Sequence, residues 1–173
     1  MSNPSLPNRR PAALIVVSDR AASGVRPDAT ADLLRPALAA AGFDLADVAV
    51  VPDEADRIVE ALRSRIDRVH LLLTTGGTGV APRDVTPEAT RQVLEKEVPG
   101  LVEEIRRRSA VANPKALGSR AVAGTASRTL ILNLPGRPAG AVEAFGFVAS
   151  VLPHLLDLLQ GPVADRSHGP EGA

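Results

Sequence analysis

A glycine-rich stretch near the middle of the chain carries the clearest chemical signal in the sequence. Residues 71–89 read LLLTTGGTGVAPRDVTPEA and begin within the apolar run Val69 to Leu73. A short apolar run of this kind predicts a buried strand. Glycine accepts left-handed backbone angles, and successive N–H groups in a glycine turn can form a concave anion site. The residues of this predicted turn are Thr75, Gly76, Gly77, Thr78 and Gly79.

Charged residues and a helix start follow the turn. Arg83 and Asp84 come first, and the string TPE at 86–88 then combines an N-cap hydroxyl, a proline at the first helical position and a carboxylate. This order predicts a phosphate-handling site with a carboxylate beside it. It is neither a P-loop, since no Gly-Lys-Ser/Thr follows, nor a dinucleotide fingerprint, since Pro82 replaces the third glycine. The alternative is a tight strand-to-helix turn without a ligand.

The composition excludes several classes of function. The chain has 173 residues, zero formal net charge and no cysteine, which argues against nucleic-acid binding by bulk charge and excludes disulfides and thiolate metal sites. It has no Trp or Tyr on which bases could stack, and its three histidines are too scattered for a zinc site. Neither a signal peptide nor an apolar stretch of membrane-spanning length is found. We expect a cytoplasmic protein that binds neither nucleic acid nor a membrane.

Strands and helices alternate along the chain, which predicts an α/β three-layer fold with a mostly parallel central sheet. We expect a flexible leader over 1–11, a single domain over 12–160 and a flexible tail over 161–173. The predicted strands are Ala12 to Val17, Val48 to Val51, Val69 to Leu73 and Thr129 to Leu134. The predicted helices lie around Leu33 to Ala41, around Ile58 to Leu62, from Thr86 to Val98, from Leu101 past Arg108, and from Ala139 to Gln160 with a kink at Pro153.

The predicted strands end in residues that could carry chemistry. Because the carboxyl ends of parallel strands meet at one edge of a sheet, these ends should converge. Carboxylates hold Mg²⁺ together with water and phosphate oxygens, so Asp19, Asp53 and Asp84 beside a glycine turn indicate a magnesium–nucleotide site. Phosphoryl or nucleotidyl transfer needs positioning and charge neutralisation more than a covalent nucleophile. The strand ends are Ser18-Asp19, Asp53-Glu54, Thr75-Gly76-Gly77 and Pro135-Gly136.

Each candidate residue also has a structural alternative. Asp19 and Asp53 are placed to cap the segments that follow them, and Asp84 is placed to pair with Arg83 or to cap the next helix. The sequence leaves both interpretations open. An ordinary loop position is the alternative for Lys115, Ser119 and Arg120, and a solvated position is the alternative for Arg137. The run Arg106 to Arg108 is expected to be a solvated helix face rather than a binding stripe.

Several blocks, all in the same order, resemble the MogA/MoaB family of molybdenum-cofactor biosynthesis proteins, which includes the G domain of gephyrin. The resemblance extends from Ile15 to Leu159. Because the blocks keep their order, the match is more specific than any one of them. The blocks are IVVSDRAASG, VVPDE, TTGGTG with APRDVTPEAT, EVPGLVEEIRR, LGSRAVAG and LILNLPG.

The resemblance implies an adenylyltransferase in which ATP, with Mg²⁺, donates AMP to the terminal phosphate of molybdopterin and releases pyrophosphate. It implies that Asp53 and Asp84 are the catalytic and metal-binding carboxylates, that the turn from Thr75 to Gly79 contacts the nucleotide, and that Ser119 holds the pterin. It also implies a homotrimer and a hand-off of the product to a molybdenum insertase. Further ligand-binding residues are expected to be Ser18, Asp19, Arg120, Pro135 and Gly136.

Two departures from the family pattern bear on substrate affinity. The string DATA at 28–31 stands where the family commonly has Asp-x-Ser-Gly, and RPA at 137–139 stands where a small polar residue, Pro and Lys are common. One alternative is a MoaB-like molybdopterin-binding carrier with little or no catalysis, and another is a detached interaction module. The sequence does not distinguish a molybdenum from a tungsten pathway.

Overall fold

The structure is a computed structural model that describes residues 9–25 and 28–161. Its centre is a six-stranded sheet in the order β2-β1-β3-β6-β5-β4. Strands β1, β2, β3 and β6 pair in parallel, whereas β5 pairs antiparallel with both β6 and β4. The strands are β1 (Arg10–Val17), β2 (Phe43–Val51), β3 (Leu71–Thr75), β4 (Lys96–Glu97), β5 (Ala123–Ala126) and β6 (Thr129–Leu134).

Helices cover both faces of the sheet, which confirms the predicted α/β fold. Side chains alternate between the faces, so Leu14 and Val16 of β1 join one apolar cluster while Ala13 and Ile15 join the other. The first cluster packs against α2, α5, α6 and α7, and the second packs against α3 and α4. The helices are α1 (Asp19–Ala22), α2 (Thr30–Ala40), α3 (Ala55–Arg63), α4 (Thr86–Arg91), α5 (Pro99–Ala112), α6 (Pro138–Val148) and α7 (Leu152–Gln160).

Strand boundaries differ from the predicted ones where the apolar pattern is weak. Strand β1 begins at Arg10 rather than Ala12, and β2 begins at Phe43 rather than Val48. The first half of β2 alternates buried and exposed side chains at the sheet edge, so it contains no continuous apolar run. Strand β6 has the predicted bounds. The predicted leader falls mostly on residues 1–8 and the predicted tail mostly on 162–173, outside the described residues.

Two predicted helices are wrong in extent. The helix expected from Thr86 to Val98 ends at Arg91, and the chain then forms β4. The helix expected from Ala139 to Gln160 is two helices, α6 and α7, which meet at 67°. Pro153 lies in the first turn of α7, where its missing N–H costs nothing, so it starts a new helix instead of kinking a continuous one.

No single helix in 9–25 or 28–161 has the length and apolar composition needed to cross a membrane, although the bent pair of α6 and α7 meets both criteria when the two are taken together.

Candidate active site at the carboxyl edge of the sheet

The glycine turn after β3 is packed so closely that its glycines leave no room for a side chain. Gly76 and Gly77 have φ angles of +93° and +65°, which L side chains rarely adopt. A Cβ at Gly76 would overlap the carbonyl oxygen at the end of β1, and a Cβ at Gly77 would overlap Thr86 Oγ1. A Cβ at Gly79 would lie 2.8 Å from Asp84 Oδ2. The turn is therefore fixed by its neighbours on several sides.

Thr86 holds this turn instead of capping α4. Its hydroxyl donates a hydrogen bond to the carbonyl oxygen of Gly76 at 2.9 Å, and Val85 occupies the N-cap position without a side-chain cap. The prediction that Thr86 is the N-cap is therefore wrong. The side chain is fully buried, so its hydroxyl needs a partner within the protein, and the carbonyl of the glycine turn provides one.

A chain of buried hydrogen bonds extends this support into the core. The Asn133 amide on β6 donates to Thr74 Oγ1 at 2.8 Å and to Thr90 Oγ1 at 3.0 Å. The Thr90 hydroxyl in turn donates to the carbonyl oxygen of Thr86 at 2.8 Å. All four side chains are buried, so each hydrogen bond satisfies a polar group that would otherwise be costly to bury. The network links the sheet centre to the glycine turn.

Asp19 and Asp53 cap each other's backbone at the ends of β1 and β2. The N–H of Asp19 donates to Asp53 Oδ2 at 3.0 Å, and the N–H of Asp53 donates to Asp19 Oδ1 at 3.0 Å. Arg83 donates to both carboxylate oxygens of Asp19, at 2.7 and 2.9 Å, and so does not form the predicted alternative pair with Asp84. The hydrogen bonds from Arg83 lower the pKa of Asp19. Asp19 is thus held as an anion that orients Asp53.

Asp84 is fixed on the loop that follows the glycine turn. Its Oδ2 accepts a hydrogen bond from the N–H of Ala81 at 2.9 Å. Arg120 braces the same loop by donating to the carbonyl oxygens of Gly79, at 2.7 Å, and of Asp84, at 2.6 Å. The guanidinium of Arg120 also pairs with Glu88.

The two predicted catalytic carboxylates, Asp53 and Asp84, line the same pocket, of about 390 Å³. Burial raises the pKa of Asp53, and the nearby charges of Asp19 and Asp84 oppose the lowering effect of its hydrogen bond from the Asp19 N–H. We call this cavity the acidic pocket. It is lined by Val16, Val17, Ser18, Arg20, Ala21, Asp28, Ala29, Asp53, Thr75, Gly77, Asp84, Gly136, Arg137 and Pro138.

A second pocket, of about 490 Å³, shares the wall Gly136-Arg137 with the acidic pocket. Three cationic residues line it against a single anionic residue, Glu143, so we call it the basic pocket. Its polar and charged lining consists of Thr78, Arg106, Ser109, Asn113, Lys115, Ser119, Arg137 and Glu143.

The reversed direction of β5 explains why Ser119 reaches this edge. Because β5 runs against its neighbours, its beginning lies where the parallel strands end. Ser119 lines the basic pocket, whereas Arg120 lines neither pocket and stays behind the Asp84 loop. Arg106, for which a solvated position was expected, also lines the basic pocket and donates to the carbonyl oxygen of Ser119 at 3.0 Å. No periodicity in the sequence marks Arg106 as different from Arg107.

The acidic pocket fits a magnesium ion that arrives with a nucleotide. In the described part of the chain, no cluster of three or more His, Cys, Asp or Glu could hold a metal ion by itself. Mg²⁺ is commonly held by one or two carboxylates together with substrate phosphates and water, and Asp53 and Asp84 provide such a pair. Thr75 also lines the pocket, and its buried hydroxyl has no hydrogen-bond partner within the described residues. A phosphate oxygen would satisfy it.

These features define an α/β protein with adjoining acidic and basic pockets built around a glycine turn. Residues 13–154 match the family described as "Probable molybdopterin binding domain". The chain belongs to this family and, within it, to the MogA/MoaB proteins of molybdenum-cofactor biosynthesis.

Relatives support this membership along most of the chain. The chain is 40% identical over 172 residues to the molybdopterin adenylyltransferase of Escherichia coli strain K12, covering 89% of this chain and 87% of that protein. The crystal structure of the molybdopterin biosynthesis enzyme MoaB from Thermus thermophilus is 48% identical, with a TM-score of 0.83, covering 88% of this chain and 97% of that one. The Drosophila melanogaster molybdenum cofactor synthesis protein cinnamon is 50% identical over 117 residues, which are 66% of this chain and 20% of that protein.

Proposed function

We propose that this protein is a molybdopterin adenylyltransferase, a nucleotidyltransferase that uses Mg-ATP and molybdopterin as substrates. The observation that carries the proposal is that Asp53 and Asp84, from separate segments, line one pocket beside the glycine turn. The identity with molybdopterin adenylyltransferases over nearly the whole chain favours catalysis over the carrier alternative.

In the proposed reaction, an oxygen of the terminal molybdopterin phosphate attacks the α-phosphorus of ATP. One P–O bond forms there while the bond from the α-phosphorus to the bridging oxygen of the β-phosphate breaks. Pyrophosphate leaves with that electron pair, and adenylylated molybdopterin remains. No covalent intermediate with the protein is needed, so the protein acts by positioning and charge neutralisation.

The acidic pocket would hold the triphosphate. Asp53 and Asp84 would hold Mg²⁺, which neutralises phosphate charge when bound. The Gly76 N–H donates to the carbonyl oxygen of Leu134 at 3.4 Å, but the N–H groups of residues 77–79 bond to no described residue and could bind phosphate oxygens. The hydroxyl of Thr75, which has no partner within the described residues, is a further donor. Ser18 has a more structural part, since its hydroxyl accepts the N–H of Ala21 at 3.2 Å and caps α1. Asp19 keeps Asp53 in place through their reciprocal hydrogen bonds.

The basic pocket would hold molybdopterin. It lies on the other side of the wall formed by Gly136 and Arg137, so its occupant is adjacent to the nucleotide. Ser119, Arg106 and Lys115 provide donors for a phosphorylated pterin, and Pro135 completes the wall. Arg120 contributes indirectly by bracing the loop that carries Asp84.

An anaerobic assay with purified protein, Mg-ATP and molybdopterin tests the proposal. We expect pyrophosphate release and adenylylated molybdopterin, and we expect both Asp53→Ala and Asp84→Ala to abolish them. Full activity in both variants would contradict the assigned roles. Calorimetry with ATP separates the enzyme from a carrier, because the enzyme requires magnesium-dependent nucleotide binding and the carrier does not.

The remaining expectations about assembly and location are part of the same proposal. The family resemblance implies a homotrimer, which sedimentation velocity would test against a monomer. A hand-off of the product to a molybdenum insertase would be tested by product transfer between the two purified proteins. Cell fractionation would test the cytoplasmic location.

A further inference from the structure

We propose that Arg137 binds both phosphates that become joined, the α-phosphate of ATP from the acidic pocket and the terminal phosphate of molybdopterin from the basic pocket. This inference rests on the proposed function and deepens it, because it names a positioning residue for the reacting phosphates. Arg137 stands where the resemblance leads one to expect a small polar residue, so the family pattern does not supply the role.

The location of Arg137 carries the inference. Among the cationic residues of 9–25 and 28–161, it is the one that lines both the acidic and the basic pocket. Arg20 lines the acidic pocket only, whereas Arg106 and Lys115 line the basic pocket only. A ligand that passes from one pocket to the other must therefore cross beside Arg137.

The backbone holds Arg137 in a fixed relation to the glycine turn. A Cβ at Gly136 would lie only 3.1 Å from the Cα of Gly76, so the two turns are in close contact. Arg137 itself occupies the N-cap position of α6, in an extended conformation with φ −76° and ψ 128°. The side chain therefore starts from a point set by both the β6 turn and the glycine turn.

The guanidinium of Arg137 is also available to a ligand. It is exposed and forms neither a hydrogen bond nor an ion pair with any described residue. Two neighbouring arginines are occupied, since Arg83 binds Asp19 and Arg120 binds Glu88 and the Asp84 loop. An unoccupied guanidinium presents a planar set of donors that matches two oxygens of one phosphate.

The charge balance of the site favours such a donor in addition to Mg²⁺. The carboxylates of Asp53 and Asp84 repel a phosphate unless cations stand between them. During transfer, the α-phosphorus gains a bond from the molybdopterin phosphate as it loses the bond to pyrophosphate, so two anionic groups crowd the shared wall. Arg137 would bind oxygens that are not exchanged in this step and would offset their repulsion.

The test compares Arg137→Ala with two matched controls that each belong to one pocket, Arg20→Ala and Lys115→Ala. Dissociation constants for Mg-ATP and for molybdopterin are measured separately by calorimetry, and pyrophosphate release is measured with both. We expect Arg137→Ala to weaken each ligand by about tenfold, the loss typical of one charge-assisted hydrogen bond. Arg20→Ala should weaken the binding of Mg-ATP alone, and Lys115→Ala should weaken the binding of molybdopterin alone.

A conservative variant separates charge from geometry. Arg137→Lys keeps the charge but loses the paired donors, so we expect it to recover part of the binding and less of the turnover. Unchanged thermal unfolding of Arg137→Ala would show that the losses are local. If that variant unfolds earlier, Arg137→Gln replaces it in the same comparison.

The inference is overturned if Arg137→Ala changes the affinity for only one ligand or for neither. Its failure is distinguishable from that of the proposed function. Wild-type protein that binds both ligands but releases no pyrophosphate contradicts the proposed function, while the binding comparison still decides the role of Arg137. Wild-type protein that binds neither ligand overturns both.

Discussion

The acidic and basic pockets share a wall but hold their side chains in different ways. In the acidic pocket, the carboxylates of Asp53 and Asp84 each accept a hydrogen bond from a backbone N–H. The N–H of Asp53 in turn donates to the carboxylate of Asp19. In the basic pocket, Lys115 extends from a 3₁₀ turn, Pro114–Gly118, and its ammonium group contacts no described hydrogen-bond partner. Fixed carboxylates suit chemistry that requires a defined geometry, whereas a longer, freer cation suits the recognition of a ligand's charge.

The largest effect is expected from removing the charge of Asp53 or Asp84, and it shows whether the two pockets are functionally separate. Asp53→Asn and Asp84→Asn each keep the size of the side chain but remove the charge that would hold Mg²⁺. We expect pyrophosphate release to fall on the order of 100-fold or more. Calorimetry should find the affinity for molybdopterin changed by less than about threefold. Equal losses of pterin binding would show that the pockets act as one.

A smaller effect tests the rigidity of the glycine turn. Gly77→Ala would place a Cβ onto Thr86 Oγ1 and 3.2 Å from Asp53 Oδ1, at a positive φ. We expect a loss of about 2–4 kcal/mol in the free energy of unfolding, combining backbone strain with overpacking. Urea denaturation measures this loss.

Gly146→Ala is the matched control for that substitution. Gly146 lies on the exposed side of α6, and a Cβ there meets nothing within 4 Å. Alanine should therefore stabilise the helix by about 0.5–1 kcal/mol. If both alanine variants shift stability in the same direction, tight packing is not the reason for the glycine at position 77.

The ion pair outside the acidic pocket should have an intermediate effect on catalysis and a small one on stability. Arg83 and Asp19 have 62% and 42% of their side-chain surface exposed, so Arg83→Ala should change the free energy of unfolding little. Because Asp19 orients Asp53, we expect roughly tenfold slower pyrophosphate release in Asp19→Asn and in Arg83→Ala. Their double variant should be no slower than either one. Additive losses would mean that the two residues act independently.

The smallest expected effect is a pH dependence of stability at His70, which lines neither pocket and so serves as a control for the scaffold. Burial, followed by the charge of Arg10, lowers the pKa of His70 in the folded protein. As pH falls below about 6.5, the unfolded chain therefore takes up the proton first and stability decreases until the folded pKa is passed. Thermal unfolding from pH 8 to pH 5.5 should show a smaller decrease in His70→Gln than in the wild type. Equal decreases would contradict this assignment.

The core of the site could be predicted because its elements have strong local patterns. The apolar runs of β1, β3 and β6 identify strands that are buried on both faces, and parallel pairing then brings their carboxyl ends together. This is why Asp19 and the glycine turn were expected at one edge, and the apolar second half of β2 added Asp53 to them. Membership of the family and the α/β fold were predicted from the same stretches and are confirmed.

The rest could not be predicted because it depends on contacts between distant segments. Strands β4 and β5 are short, and β5 consists of small residues, so neither has a periodic pattern to detect. Arg83 binds Asp19 rather than Asp84, and the Thr86 hydroxyl binds the Gly76 carbonyl, because tertiary packing brings these groups together. A helix pattern likewise cannot show which arginine of a run faces a pocket, as Arg106 does.

The chain of buried hydrogen bonds that links Asn133 through Thr90 to Thr86 should affect how often the glycine turn opens. Surface turns usually exchange their amide hydrogens through frequent local openings. Here, opening the turn at Gly76 breaks the hydrogen bond from Thr86, which is itself linked through Thr90 to the middle of the sheet. Deuterium uptake at Gly76 should therefore be nearly as slow as in β6, and the glycine turn should keep its shape for as long as the sheet stays folded.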